Sequence, residues 1–247
     1  FYLFSAPVLI ALFMVVILPF LYGMYYSFTS WDGVSTSAFV GFDNYINAFK
    51  DPTYLASLWF TIKFSVVAIA LINIIGLGLA VLVTNKFKGA NILRTIFFMP
   101  NLIGGLILGF IWQFIFVEAF SAFGKALHIG GMGSWLATTN TGFWALVIVM
   151  VWQYSGYIMV IYISYLQGID QGLLEAADLD GATAMQKFWK IKFPLIMPGF
   201  TVSLFMTLSN CFKLYDQNLS LTGGGPYNST QMVAMNIYNT AFSMNKM

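Results

Sequence analysis

Five stretches of this chain, each about twenty residues or longer, run with almost no charge, and that continuity limits the fold more than any other feature. They are Tyr2–Phe28, Leu58–Thr84, Thr95–Val117, Thr141–Leu166 and Phe193–Phe212. A hydrocarbon core of about 30 Å is crossed by about 20 helical residues. Lipid offers no partner to backbone N–H and C=O groups, so a helix is the form such runs must take. A transmembrane barrel would instead show short alternating segments. Composition agrees. Only 8% of the 247 residues are charged, against roughly a quarter in soluble domains, and mean hydropathy is +0.79. We read an all-α polytopic membrane protein with five transmembrane helices, a single domain over residues 1–247.

Several function classes are excluded early. The single Cys211 rules out a disulfide within the chain, and with the single His128 it rules out a Cys/His metal cluster. No Gly-x-x-x-x-Gly-Lys-Ser/Thr is present, so the chain holds no phosphate-binding loop of that type. Gly130-Gly131-Met132-Gly133 lacks the flanking strand and helix of a dinucleotide fingerprint. A net charge of +2 without a basic patch argues against nucleic acid. A membrane enzyme would need a clustered acid, base or metal set, which is missing. No cofactor and no catalytic residue is expected. A secondary transporter would need intramembrane charges or paired inverted repeats, and spans one, three and four carry no interior charge.

Basic residues orient the spans. Lys86, Lys88 and Arg94 lie between spans two and three; Lys187, Lys190 and Lys192 lie before span five. Asp32, Asp43, Lys50 and Asp51, and Glu118, Lys125 and His128, occupy the other two loops, which are acidic or neutral overall. The N-terminus is thus expected in the cytoplasm. The chain opens on Phe1 and is already apolar, which suggests that a preceding segment is missing. Its first run outlasts the 7–15-residue apolar core of a signal peptide and reads as a true span. The tail Asn228–Met247 reads as a short outer or cavity helix, and a sixth span is expected beyond it.

Between spans four and five sits a polar island holding four of the nine acidic and three of the eleven basic residues. Asp170 is placed to cap a helix through Ala177, Asp180-Gly181 to turn the chain, and Asp180 to cap a second helix from about Ala182 to Lys192. Met185, Phe188 and Trp189 give that helix an apolar edge. Pro194 would end it, and Pro198 would kink the following span. On pattern alone this is also what a solvated cytoplasmic hairpin looks like.

The spacing of the island is more specific. Glu175-Ala176-Ala177, then Asp180-Gly181-Ala182, then Phe188, Ile191, Pro194 and Pro198, resembles the EAA loop of ABC-importer permeases. Leu221-Thr222-Gly223-Gly224-Gly225-Pro226 with Asn228-Ser229-Thr230, and Ile92–Pro100, are similar to further blocks of the maltose-type sugar permeases. The resemblance extends over most of the chain. It departs at Ile169–Leu174, where the family commonly has a proline, and it lacks the large periplasmic insertion of some members.

That resemblance implies a permease subunit in a prokaryotic inner membrane, importing carbohydrate, most simply an oligosaccharide. Permeases for glycerol phosphate and other solutes share the loop and stay open as an alternative. It also implies two cytoplasmic ATPase subunits, a second homologous permease in a heterodimer, and an extracytoplasmic solute-binding protein. The loop 169–192 would couple to the ATPase through Glu175, Ala176, Ala177, Asp180, Gly181, Ala182, Phe188, Ile191 and Pro194. Tyr154, Tyr157, Thr207, Asn210 and Cys211 are the candidate substrate-cavity residues, an aromatic ring with hydroxyl and amide groups suiting a sugar; the same groups could instead bond neighbouring helices. Lys63, Lys213 and Asp216 either snorkel to the interface or, for the two lysines, face the cavity and favour an anionic saccharide.

Overall fold

The computed structural model describes residues 2–31, 33, 38–84, 89–127 and 135–243. The expectations that fell on Asp32, Lys86, Lys88, His128 and Gly130–Gly133 lie outside these residues. The described chain is helical throughout, with one isolated bridge between Thr29 and Phe39. Among the described residues, four helices are long and apolar enough to cross a membrane: α1 (Phe4–Tyr26), α3 (Pro52–Thr84), α5 (Gly105–Ala126) and α6 (Thr139–Gln167). Shorter helices are α2 (Asp43–Lys50), α4 (Ala90–Phe98), α7 (Gln171–Leu179), α8 (Ala184–Leu195), α9 (Met197–Phe212) and α10 (Val233–Tyr238). The α8–α9 pair, bent by 64°, forms a fifth candidate span.

The chain divides into two compact units, Phe1–Ala56 with Asn236–Met247, and Ser57–Met235. In the first, α1 buries none of its apolar window within the chain. Its C-terminal end is tied down by polar groups: Asn44 Nδ2 donates to Ser27 O (3.0 Å) and Thr29 O (2.7 Å), and Trp31 stacks on Tyr26 at 4.5 Å.

In the second unit α6 is the central helix, 67% buried over its window against 33% for α3 and 17% for α5. Its neighbours approach closely because small residues face them. A Cβ on Gly156 of α6 would lie 1.7 Å from Phe97 O of α4, and one on Gly76 of α3 would lie 2.9 Å from Ile158 of α6. Phe64, Ile72, Leu146, Met150, Ile158 and Met159 fill the space between. Three buried polar groups cross the same core. Tyr162 Oη donates to Asn73 Oδ1 at 2.8 Å and lies 2.9 Å from Ser203 Oγ, which is itself 2.6 Å from Asn73 Oδ1. This triad links α3, α6 and α9, and satisfies every member where no water competes.

The third apolar run departs from the continuous span expected over Thr95–Val117. Helix α4 ends at Phe98, a 3₁₀ turn occupies Met99–Leu102, and Ile103 and Gly104 are extended before α5 begins. Pro100 lacks the donor that would continue the helix, and the run stays apolar through the break, so hydropathy does not register it. Arg94 also has a structural part: its Nη2 donates at 2.9 Å to Val83 O in the last turn of α3.

Two details of the island differ as well. Thr183, not Asp180, caps the second helix, in a reciprocal capping box with Gln186. Pro194 does not end it either. A π-helical turn at Phe188–Lys192 precedes Pro194 and accommodates its missing donor, and the chain breaks later, at Ile196 (φ −90°, ψ 2°). Pro198 falls in the first turn of α9, where a missing N–H costs nothing.

Candidate functional site

The island folds as a compact helical hairpin. Asp170 Oδ1 accepts from Gly172 N at 2.9 Å and starts α7, as its position predicts. Gly181 turns the chain at φ +76°, a left-handed conformation that a Cβ would strain. The turn is closed by Ala182 N donating to Ala177 O at 2.9 Å and Gly181 N donating to Asp178 O at 3.0 Å. An ion pair between Asp178 and Lys187 then joins α7 to α8. The hairpin is therefore held at its turn, at its cap and across its two helices.

Its outer side is unusual in what it exposes. Glu175, Ala176, Asp180 and Gly181 are exposed, Ala182, Phe188 and Ile191 are half-buried, Pro194 is exposed, and Ala177 is buried. Leu179, beside the turn, is 91% exposed. Sequence reading passes over this leucine, because an apolar residue at the end of a helix reads as core until its direction is known. On the other side Phe188, Trp189 and Phe193 form a ring cluster with centroids 5.1–6.3 Å apart, in which Phe188 holds the hairpin to the start of the α8–α9 span.

A second site lies at the far end of α9. A cavity of about 200 Å³ is lined by Gln153 and Tyr154 of α6, Asn210 of α9, and Lys213, Asp216 and Gln217 of the following turn. Gly105, the first residue after the break in the third span, also lines it, and Ile103 O, freed from helical bonding, accepts from Gln153 Nε2 at 3.0 Å. Gln217 in turn donates to Gln153 Oε1. Behind it, Asn218 Nδ2 donates to Thr230 O at 2.8 Å and its Oδ1 accepts from Met232 N at 2.9 Å. These two bonds pin the glycine-rich loop that ends at Thr230.

Of the residues predicted to line a substrate cavity, Tyr154 and Asn210 are brought together here. Tyr157 is half-buried with its hydroxyl 3.5 Å from Met206 Sδ, and it does not line this cavity. Thr207 and Cys211 are fully buried, and the Thr207 hydroxyl donates to Ser203 O of its own helix at 2.7 Å. Lys213 and Asp216 both reach the cavity wall, whereas Lys63 sits exposed, 5.9 Å over the Trp59 ring. Gln153 carried a local signal, as a polar residue inside an apolar span; Gln217, beyond the end of span five, carried none.

Comparison with known proteins fits this geometry. The family described as binding-protein-dependent transport system inner membrane component matches residues 72–246. The probable starch degradation products transport system permease protein of Thermoanaerobacterium thermosulfurigenes is 56% identical over all of this chain and 85% of its own length. The multiple sugar-binding transport system permease protein of Streptococcus mutans is 33% identical over 92% of this chain and 79% of its own. In fold, a chain of a bacterial ABC transporter involved in the import of the acidic polysaccharide alginate superposes with TM-score 0.83 at 18% identity, covering 98% of this chain and 84% of that one.

Proposed function

This chain belongs to the family of binding-protein-dependent transport system inner membrane components, and on that premise we propose how it works: as the permease subunit of an ATP-driven importer of carbohydrate. The substrate class rests on the starch-products permease that shares 56% of its residues over the whole of this chain. The polar cavity supports it, since amide, phenol and amine groups converge there at the end of an apolar span. Lys213 is matched on that wall by Asp216, which favours a neutral saccharide over an anionic one.

The observation that carries the mechanism is the hairpin. It is braced internally by the Thr183 box, the Gly181 turn and the Asp178–Lys187 pair, yet it presents Glu175 and Leu179 outward. Such an element moves as one piece. In this reading it lies in the cytoplasm, seats in a groove of an ATPase subunit, and passes that subunit's motion through Phe188 and the bent α8–α9 span towards the cavity. Glu175 supplies charge, Leu179 the apolar contact, and Ala176 and Ala182 allow close approach. One hairpin per chain calls for a second permease subunit so that two ATPases are engaged. The apolar α1, none of whose window is buried within the chain, is available to that partner or to lipid. An extracytoplasmic binding protein delivers solute to the outer loops, with the N-terminus inside.

Purification of the full-length protein in mild detergent tests this reading. A P-loop ATPase and a second permease should be retained, and both Glu175→Lys and Gly181→Asp should release the ATPase while keeping the permease. A chain that purifies alone and transports in liposomes without ATP would overturn it in favour of a secondary carrier.

A further inference from the structure

One buried group on the cavity wall carries an acceptor that the chain leaves unused. Gln217 is 2% exposed, and its Oε1 has no hydrogen-bond partner among the described residues. Buried amide oxygens are nearly always paired, so this one calls for a donor. Its orientation is not free to change. Gln153 Nε2 donates to Ile103 O, so Gln153 must present its Oε1 to Gln217. Gln217 answers with Nε2, its donor. Turning the Gln217 amide over would set two oxygens face to face, and turning both amides would take the donor away from Ile103. The relay from Ile103 through Gln153 thus leaves Oε1 of Gln217 as a fixed, solvent-inaccessible acceptor on a residue that lines the cavity.

We propose that Gln217 Oε1 is a specificity-determining acceptor for one hydroxyl of the transported sugar, with Gln153 as its positioning residue. The inference rests on the carbohydrate reading above and assigns one contact within it. A hydroxyl suits the site because it donates to Gln217 and can accept in the same place from Asn210 or Lys213. A carboxylate or phosphate offers only acceptors and would leave Gln217 unpaired. An amide held in one orientation by a second amide also discriminates better than a mobile side chain, because an analogue without the hydroxyl cannot be met by rotation.

The test uses the assembled transporter, with partner permease, ATPase and binding protein, in proteoliposomes. The probes are maltotriose and its monodeoxy analogues. In the wild type, one deoxy position should lower uptake kcat/KM by about 5- to 10-fold more than the others, the worth of one neutral hydrogen bond. Gln217→Met removes the acceptor at similar length. Maltotriose uptake should fall by about the same factor, and that one analogue should then be carried as well as its parent. Gln153→Met leaves the acceptor but frees its orientation, and should weaken discrimination at the same position. Selection by the binding protein is common to all variants and cancels when each variant's parent-to-analogue ratio is divided by that of the wild type. Uniform loss across parent and analogues in Gln217→Met would make the residue structural and overturn the inference. If that variant does not assemble, Gln153→Met decides by itself, since unchanged discrimination there overturns it. Failure of the wild type to carry maltotriose or any other saccharide would overturn the carbohydrate reading, and that result is seen before any variant is made.

Discussion

Tyr162 shows how much a single polar atom can do in an apolar bundle. Its hydroxyl meets Asn73 and Ser203 on two other helices, and all three groups are buried. Tyr162→Phe keeps the ring and leaves Ser203 to serve Asn73, so the expected loss of stability is modest, about 0.5–1.5 kcal/mol. Thermal unfolding in detergent checks it, with solute preference unchanged. Gly156 is a harsher case. A methyl group there would meet Phe97 O at 1.7 Å, and backbone cannot step aside as a side chain can. Gly156→Ala should cost about 1–3 kcal/mol by forcing α4 away from α6. Wild-type thermal stability in that variant would contradict the packing described here. Neither role is legible in sequence. Tyr162 is one of 13 tyrosines and Gly156 one of 22 glycines, and partners 89 and 59 positions away give no local mark.

At the scale of elements, the hairpin makes separable predictions. Thr183→Ala removes the side-chain acceptor of the capping box and should cost about 1 kcal/mol locally. Amide hydrogen exchange at residues 184–192 reads this as faster opening, with the long spans unaffected. Gly181→Ala meets a left-handed backbone and should cost about 1–2 kcal/mol at the turn, while Gly181→Asn should be milder. ATPase retention should follow the same order. The hairpin's existence was legible, since a charged segment between two apolar runs must leave the lipid, and Asp170 caps where its position predicts. The Thr183…Gln186 box was legible too, as a hydroxyl three residues before an amide. The competing Asp180-Gly181 signal concealed it, because a good capping residue and a turn residue are the same kind of residue. The π turn before Pro194 was not legible, because a proline's effect depends on whether the preceding turn can widen.

For the whole molecule, the distribution of basic residues predicts sidedness, and this is open to direct measurement. In a Cys211→Ala background, a membrane-impermeant maleimide added outside intact cells should label Lys125→Cys and spare Glu175→Cys, and permeabilisation should expose the second. The reverse pattern would invert the topology and, with it, the placing of the hairpin. What the amino-acid order determined by itself is the class of solvent each segment must occupy. Runs such as Leu58–Thr84 and Thr141–Leu166 are too apolar and too long for water, and the island is too charged for lipid; both follow from transfer free energies that are local and additive. Only the tertiary structure decided where the apolar runs break and which polar groups meet. The interruption at Met99–Gly104 is stable because Gln153 arrives from α6 to satisfy Ile103 O, and the free acceptor of Gln217 exists because Gln153 is already committed. Hydrogen bonding is directional and pairwise, so its outcome depends on partners that the chain brings together only by folding.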